Sequence, residues 1–346
     1  MSEPNWWTYK PKHCARFYTW KPACREFESN SSNQIKYFTL CGVDAVDVFM
    51  LEKMGILNRN RNQRIQNITI CEMCWIKIAE IEKSLKPPLG PPILYGEIGK
   101  LLTADEDGGE SDETTIPRER DTLAQRKAAR QRRARSDLMR AFPFDIINFD
   151  PCASLLDVDH HPTLLPGLQK VFEIQRDLGK DRFLLMLTTP ILHSNSSVSH
   201  ISDTIETEFQ TDYEANIENH EDIRDEIHHK FGSLEFDKIE EKSRIAISIA
   251  KSIVLKNTKD DWICEHKGID IYENGAGNLF LSSVILLTRK DNGLFDNDDY
   301  VNEVKRVIRD YPTFYSFAVA DADQDVASDL ADLKAYADKV KASYDE

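Results

Sequence analysis

Residues 144–156, FDIINFDPCASLL, indicate the fold class of this chain. Its apolar run, residues 146–149, is too short for a stable helix and is typical of a strand buried on both faces of a parallel sheet. Asp150 and Pro151 follow this run, so they lie at the carboxyl edge, where open α/β sheets bind ligands. Proline fixes its own backbone and keeps the preceding residue extended, which gives the carboxylate of Asp150 a defined direction. The pattern predicts an acid in a ligand crevice, and a strand that simply ends in an Asp-Pro turn is the alternative.

Length, charge and cysteine content narrow the class of protein. The 346 residues are enough for two domains or for one large, decorated domain. The net charge of −15 repels phosphates, so a nucleic-acid partner would need a local basic patch or a helper subunit. Seven scattered cysteines without a leading apolar segment indicate a reducing, cytoplasmic location. No run of 18 apolar residues occurs, so no membrane span is expected.

The N-terminal arm, residues 1–33, combines aromatic and basic side chains. Such a mixture suits a surface that stacks bases and holds phosphates. The alternative is an arm that packs its aromatic rings on the core and leaves its charges in solvent. The arm also contains His13, Cys14 and Cys24, but their spacing matches no regular zinc pattern, and we expect no metal site.

A nucleotide-binding type of crossover begins after the arm. Residues 35–40 form a predicted strand, which is followed by the turn Cys41-Gly42-Val43-Asp44 and by a predicted helix. One glycine falls short of a G-x-G-x-x-G run, which disfavours a phosphate cradle. The next predicted strand, residues 65–71, ends in Glu72, whose carboxylate is placed to accept hydrogen bonds from two ribose hydroxyls. Cys71 and Cys74 form a single C-x-x-C pair, read either as buried thiols or as a metal or redox pair.

Two strongly charged segments lie between the third and fourth predicted strands. The third strand, residues 93–95, ends in the turn Gly96-Glu97-Ile98, and an acidic loop follows at residues 103–115. A basic helix is predicted next, at residues 118–140, with few apolar positions. We expect this helix to contact nucleic acid or an acidic partner, and the alternative is a solvated helix neutralised by the acidic loop. The candidate contact residues are Arg126, Lys127, Arg130, Arg132 and Arg133.

The rest of the chain completes an alternating pattern of strands and helices. A loop with Asp157, Asp159, His160 and His161 shows no metal-ligand spacing and is interpreted as a polar active-site or surface loop. The helix and strand that follow lead to a hairpin with a Gly-Asn turn. The order predicts an α/β fold with a Rossmann-like, mostly parallel sheet, a C-terminal antiparallel hairpin and helices on both faces. The predicted division is an arm at 1–33, a domain at 34–290 with a charged insertion at 103–140 and a helical insertion at 194–256, and a C-terminal helical extension at 291–346.

This element order resembles that of the class I S-adenosylmethionine-dependent methyltransferases over residues 35–290. The phrase FDIINFDPCAS resembles the D-x-I-x-x-D-P-[FY]-G-[ST] element of tRNA guanine-N2 dimethyltransferases and the DP-F-G element of three-Cys-motif partner proteins of bacterial gene clusters. The resemblance implies S-adenosylmethionine as cofactor and assigns roles by position. Cys41, Gly42 and Asp44 would lie beside the methionine moiety, and Glu72 would hold the ribose. Gly96 and Glu97 would contact adenine, and Asp150 and Pro151 would be catalytic.

Methyl transfer to a nucleic-acid amine is therefore the expected activity. Asp150 would accept a hydrogen bond from the amine, Pro151 would offer its carbonyl, and the aromatic arm would stack the base. Cys152 and Ala153 stand where the family motif has an aromatic residue and a glycine. This departure favours the alternative function, a catalytically inactive methyltransferase-like module that binds a nucleotide ligand or a partner protein in a bacterial defence or modification system.

Overall fold

The computed structural model describes part of the chain. The described residues are 7, 9–31, 34–57, 67–85, 93–103, 123–151, 153–155, 157, 159–191, 210–211, 221–232, 261–273, 278–290, 302–303, 306–307 and 312–343. The acidic segment beyond Thr103, the turn of the predicted hairpin and most of the insertion predicted at 194–256 lie outside these residues. All statements below concern the described part of the chain.

An eight-stranded sheet forms the centre of the molecule, in the order β3-β2-β1-β4-β5-β7-β6-β8. Its first five strands in sequence are parallel neighbours, and β7 runs antiparallel between β5 and β6. The predicted α/β class with a mostly parallel sheet and an antiparallel C-terminal hairpin is thereby confirmed. The strands are β1 Tyr37–Thr39, β2 Ile68–Glu72, β3 Ile93–Tyr95, β4 Ile146–Phe149, β5 Arg182–Pro190, β6 Trp262–Glu273, β7 Leu279–Arg289 and β8 Thr313–Tyr315.

Helices cover both faces of the sheet, as the pattern predicts. Three helices, α5, α6 and α7, share one apolar core with Ile147 and Phe149 of β4, while α3, α4 and α10 belong to a second core with Ile146. The helices are α1 Lys10–Cys14, α2 Lys21–Ser29, α3 Val46–Lys53, α4 Trp75–Leu85, α5 Ile98–Thr103, α6 Leu123–Ala141, α7 Leu164–Asp177, α8 Glu221–Phe231, α9 Phe317–Ala322 and α10 Gln324–Ala342. Residues of β4 alternate between the two cores because successive side chains of a strand point to opposite faces.

The N-terminal arm is a helix that packs on the second core. A π-helical segment, Ala15–Trp20, joins α1 to α2, and we call residues 10–29 the N-terminal helix. Trp20 is fully buried, and its indole Nε1 donates to Ser282 Oγ of β7 at 2.9 Å. Phe17, Cys24 and Phe27 are buried with it. Phe17, Trp20 and Phe27 therefore pack on the core, as the alternative to base stacking expects, whereas Tyr18 is 44% exposed.

Gly268 of β6 lies directly against Thr19 of the N-terminal helix. A Cβ atom at this position would lie 2.0 Å from Cγ2 of Thr19. We expect Gly268→Ala to lower the free energy of unfolding by about 2 kcal/mol, because overpacking displaces well-packed neighbours. Urea denaturation of the variant and the native protein measures this loss.

Thr19→Ser provides the matched control, because it removes Cγ2 and keeps the hydroxyl. In the Thr19→Ser background the cost of Gly268→Ala should fall to about half or less, since the two atoms that collide are no longer both present. Purely additive effects of the two substitutions would contradict this account of the contact.

Candidate functional site

The crevice of the sheet lies between β1 and β4, where the direction of the crossovers changes. The helix after β1, α3, packs in one core, and the helix after β4, α7, packs in the other. Their connections therefore leave the carboxyl ends of two neighbouring strands in opposite directions. Open α/β sheets bind ligands at such a point. Asp150 directly follows β4, and the turn with Gly42 follows β1, so both lie at this opening.

The strand register places a line of polar residues across the carboxyl edge of the sheet. Thr39 of β1 pairs with both Ile70 and Asn148, and two residues further along these strands are Cys41, Glu72 and Asp150. The pairing continues across the other half of the sheet. Phe149 of β4 pairs with Leu187 of β5, Thr188 of β5 pairs with Ser282 of β7, and Ser282 pairs with Asp270 of β6. All of these side chains belong to the face of the sheet that the N-terminal helix covers. We call the set the polar row: Glu72, Cys41, Asp150, Thr188, Ser282 and Asp270.

Asp150 forms an ion pair with the N-terminal helix. The ammonium of Lys12 donates to Asp150 Oδ2, and the two side chains are only 8% and 16% exposed. Pro151, next to it, is buried. The acid predicted to hold an acceptor amine is thus at the expected edge, but an amine of the chain itself already occupies one of its oxygens. The sequence analysis did not single out Lys12, because only the path of the helix brings it to Asp150.

Glu72 ends β2 in a turn that orients its carboxylate. Its Oε1 accepts hydrogen bonds from the backbone N–H groups of Met73 and Cys74, each at 2.7 Å. No bond to the second oxygen is seen within the described residues. Met73 and Ile76 beside it are 59% and 72% exposed, so an apolar surface adjoins the acid. A hydrogen-bond acceptor next to a soft apolar surface suits a ribose joined to a purine ring.

The turn after β1 is compact. The backbone N–H of Ala45 donates to the carbonyl of Gly42 at 2.9 Å, and Ala45 adopts a left-handed φ of 47° before α3 begins. Gly42 is exposed and Asp44 half-buried, whereas Cys41 is buried. Burial, with the negative charges of Asp47 and Glu72, raises the pKa of the Cys41 thiol, and only the cation of Arg16 and a backbone hydrogen bond oppose this effect. Cys41 is therefore a protonated packing residue.

Asp47 is a buried acid that joins the elements on both sides of the crevice, and it was not predicted from the sequence. Asp47 of α3 accepts hydrogen bonds from Tyr37 Oη at 2.5 Å, Thr39 Oγ1 at 2.6 Å and Asn148 Nδ2 at 3.0 Å. These bonds join α3 to β1 and β4 on both sides of the opening. Burial, followed by the charge and hydrogen bond of Asp47, raises the pKa of Tyr37 well above its usual range. The three partners are polar residues in otherwise apolar strands, and that was the signal available in the sequence.

Gly96 and Glu97 form the turn that closes the third strand. The backbone N–H of Gly96 donates to the carbonyl of Glu72 at 3.1 Å, which links the two turns. Glu97 accepts a hydrogen bond from Thr163 Oγ1 at 3.0 Å and pairs with Lys100 at 2.7 Å. Although burial favours the neutral acid, these contacts lower the pKa of Glu97. Glu97 therefore anchors the start of α7, and its role in holding a cofactor stays a prediction.

The basic helix, α6, is amphipathic and lies on the opposite face of the sheet from the N-terminal helix. Ala134 and Leu138 attach it to the first core, and Arg130, Arg132 and Arg133 are exposed. Arg126 is half-buried, and the side chain of Lys127 lies outside the described residues. The structure thus does not bring together the two surfaces, arm and basic helix, that the sequence analysis proposed for one nucleic-acid partner.

Among the residues that the structure describes, neither the loop before α7 nor the helices form a metal centre or a membrane span. Asp157 Oδ1 lies 2.8 Å from Nδ1 of His160, which is an exposed local contact. Within the described residues, no three His, Cys, Asp or Glu side chains form a group that could hold a metal ion. None of the helices in the described part of the chain is both long and apolar enough to cross a membrane.

Comparison with known proteins gives one match. A family model described as PP_RS20740-like matches residues 114–250. That range contains α6, β4, Asp150, α7 and β5, but neither Glu72 nor the turn with Gly42. No curated protein and no solved structure matches the chain.

Proposed function

We propose that the protein transfers a methyl group from S-adenosylmethionine to an amine, and that the acceptor belongs to a nucleic acid. The observation that carries this proposal is the sheet order 3-2-1-4-5-7-6 with an antiparallel seventh strand, combined with acids at the ends of β2 and β4. The succession of strands and helices along the chain, ending in an antiparallel hairpin, is the feature in which the sequence resembles the class I methyltransferases. Because a fold alone does not define an activity, the position of Glu72 and Asp150 on one edge of the sheet is the decisive feature.

In the proposed mechanism, the protein mainly positions the acceptor amine relative to the cofactor. The sulfonium methyl group of the cofactor is electrophilic by itself, so the enzyme needs to hold the acceptor amine in line with it. The oriented carboxylate of Glu72 would accept bonds from the ribose, and Met73 would face the purine. Asp150 would accept a hydrogen bond from the amine, and the Pro151 carbonyl would add a second. Because Lys12 already contacts Oδ2 of Asp150, the amine would bind the other carboxylate oxygen or displace Lys12.

Nucleic acid is the preferred acceptor because of α6. Its exposed arginines form a local cationic surface on a chain whose net charge is −15. Such a surface supplies the phosphate contacts that the overall charge opposes. A cytoplasmic location is proposed with it, because the six cysteines in the described part of the chain are free thiols.

A second candidate function is an inactive methyltransferase-like module that binds a nucleotide or a partner protein. The ion pair between Lys12 and Asp150 favours it, because that pair fills the place of an acceptor amine. The reduced glycine content of the turn after β1 points the same way. In this case the crevice would serve as a sensor or scaffold in a bacterial defence or modification system.

Calorimetric titration with S-adenosylmethionine and S-adenosylhomocysteine tests the cofactor site. We expect micromolar binding, and we expect Glu72→Ala to weaken it about 10- to 100-fold, because a charged hydrogen-bond acceptor is lost. Glu173→Ala, which removes an acid from the exposed pair with Lys170, is the matched control and should not change binding. Absence of binding at millimolar ligand would contradict the methyltransferase proposal and favour the second candidate.

Asp150→Ala separates binding from transfer. The variant should bind S-adenosylmethionine as the native protein does and should lose transfer of a labelled methyl group to total RNA or DNA. Transfer that survives this substitution would contradict the assignment of Asp150.

A further inference from the structure

Arg16 in the π-helical segment is a buried cation that pairs with no carboxylate of the described residues. Arg16 is only 6% exposed, and neither its Nε nor its Nη1 has a hydrogen-bond partner among the described residues. The guanidinium carbon lies 5.7 Å from the centroid of the Trp20 ring, a contact that leaves these two nitrogens unsatisfied. A buried charge of this kind is costly unless an anion pairs with it.

The neighbours of Arg16 place it above the polar row. One helical turn before it, Lys12 binds Asp150, and one turn after it, Trp20 binds Ser282. The positive charge of Arg16 also acts on the thiol of Cys41. Arg16 therefore lies between the N-terminal helix and the carboxyl edge of the sheet. Single-turn π segments occur frequently at functional sites, where they redirect a side chain.

Two further buried polar atoms on this face of the sheet lack partners. Asn148 Oδ1 and Thr188 Oγ1 form no hydrogen bond within the described residues. Asn148 uses its Nδ2 for Thr39 and Asp47, which fixes Oδ1 as an unused acceptor. Both residues point to the same face as Asp150, because they alternate along β4 and β5 with residues of the first core. The face of the sheet that the N-terminal helix covers thus carries an unused donor, the Thr188 hydroxyl, and an unused acceptor, Asn148 Oδ1, among the described residues.

We propose that the layer between the N-terminal helix and the polar row binds a small molecule through an oxyanion, with Arg16 as the anchor. The guanidinium would bind a carboxylate or a phosphate, because both match its planar set of donors. The hydroxyl of Thr188 would donate to the same ligand, and Asn148 Oδ1 would accept from one of its N–H or O–H groups. The proposal goes beyond methyl transfer, since it holds equally for a nucleotide ligand of an inactive module.

Two ligand pairs test the proposal and distinguish the sources of the oxyanion. S-adenosylhomocysteine and 5′-methylthioadenosine differ by the amino-acid end with its carboxylate, and ADP and adenosine differ by the phosphates. We expect the native protein to bind the charged member of at least one pair at least tenfold more tightly in calorimetric titrations. Arg16→Met should remove this preference. Arg25→Met, which changes an exposed arginine of the same helix, should retain it.

The melting temperature of the ligand-free variant shows whether Arg16 has a merely structural role. Because the guanidinium is unpaired without ligand, Arg16→Met should melt at or above the temperature of the native protein while losing the stabilisation that the preferred ligand confers. A large fall in the melting temperature without ligand, equal affinities within both pairs, or a preference that survives Arg16→Met would overturn the proposal. Failure of methyl transfer alone would leave it standing, because the ADP pair is read without any transfer.

Discussion

Asp270→Asn is expected to stabilise the protein by up to about 4 kcal/mol above pH 8 and to have little effect near pH 4. Asp270 is 2% exposed, and its Oδ2 has no hydrogen-bond partner among the described residues. Burial raises the pKa of Asp270 to about 7 from 3.8, although a hydrogen bond from Thr19 opposes the shift. Asparagine has a similar shape and can accept the same hydrogen bond without carrying a charge.

The direction of the pH dependence follows from the raised pKa. Below pH 3.8 the carboxyl is neutral in both states, and its ionisation does not affect stability. Between pH 3.8 and about 7 the unfolded chain ionises while the folded protein keeps the proton, so stability is lost as the pH rises. Each unit of difference between the folded and unfolded pKa of Asp270 changes the free energy of unfolding by about 1.4 kcal/mol. This relation gives the stabilisation of up to about 4 kcal/mol that is expected of Asp270→Asn above pH 8.

Urea denaturation at pH 4.5 and pH 8 measures the effect of Asp270→Asn. The stabilisation should be several times larger at pH 8. Asp261→Asn is the matched control, because Asp261 is partly exposed and pairs with Arg176 at 2.8 Å. An equal effect of Asp270→Asn at both pH values would show that Asp270 is not held neutral by burial.

Lys12→Met is expected to destabilise the protein by about 3 kcal/mol, because it leaves the carboxylate of Asp150 nearly buried without its cation. Asp150→Asn in the Lys12→Met background should recover part of this loss. A double-mutant cycle measured by urea denaturation then gives a coupling free energy of about 2 kcal/mol between the two residues. The cycle thereby measures how strongly this ion pair holds the N-terminal helix over the crevice.

Lys21 and Asp329 form the control pair for this cycle. Their atoms Nζ and Oδ2 are 2.6 Å apart, but the side chains are 27% and 43% exposed. Solvent screens such a pair, and we expect a coupling free energy below about 1 kcal/mol. A coupling between Lys12 and Asp150 no larger than that of the control pair would contradict a buried ion pair at the crevice.

Strands and their ends could be predicted from the sequence because they depend on local patterns. The run Ile146–Phe149 is a buried strand over the predicted residues, and Asp150 follows it at the carboxyl edge. Glu72 ends β2, one residue beyond the predicted strand. The short β8 was missed, because three residues, Thr313–Tyr315, carry too little periodicity to indicate a strand.

The candidate site was only partly predictable, because local patterns specify the ends of strands but not the contacts between distant residues. Glu72 and Asp150 could be placed on one edge because parallel strands bring their carboxyl ends together. Tyr37, Thr39 and Asn148 stood out in the sequence as polar residues in apolar strands, but their bonds to Asp47 could not be predicted, because they depend on how the helix α3 packs on β1 and on β4, which is 101 residues away from it. Arg16 and Lys12 read as solvated charges in an arm, and both are buried.

The α/β class, the mostly parallel sheet and the acids that follow its strands could be predicted from the sequence, because apolar periodicity and turn residues are local features. The path of the N-terminal helix across the polar row and the pairing of Lys12 with Asp150 became evident only in three dimensions. The same holds for Arg16 and Asp270, which are buried without full pairing among the described residues. These features depend on contacts between residues more than 100 positions apart, and the free energy of such contacts is set by burial and by partners that no local pattern specifies.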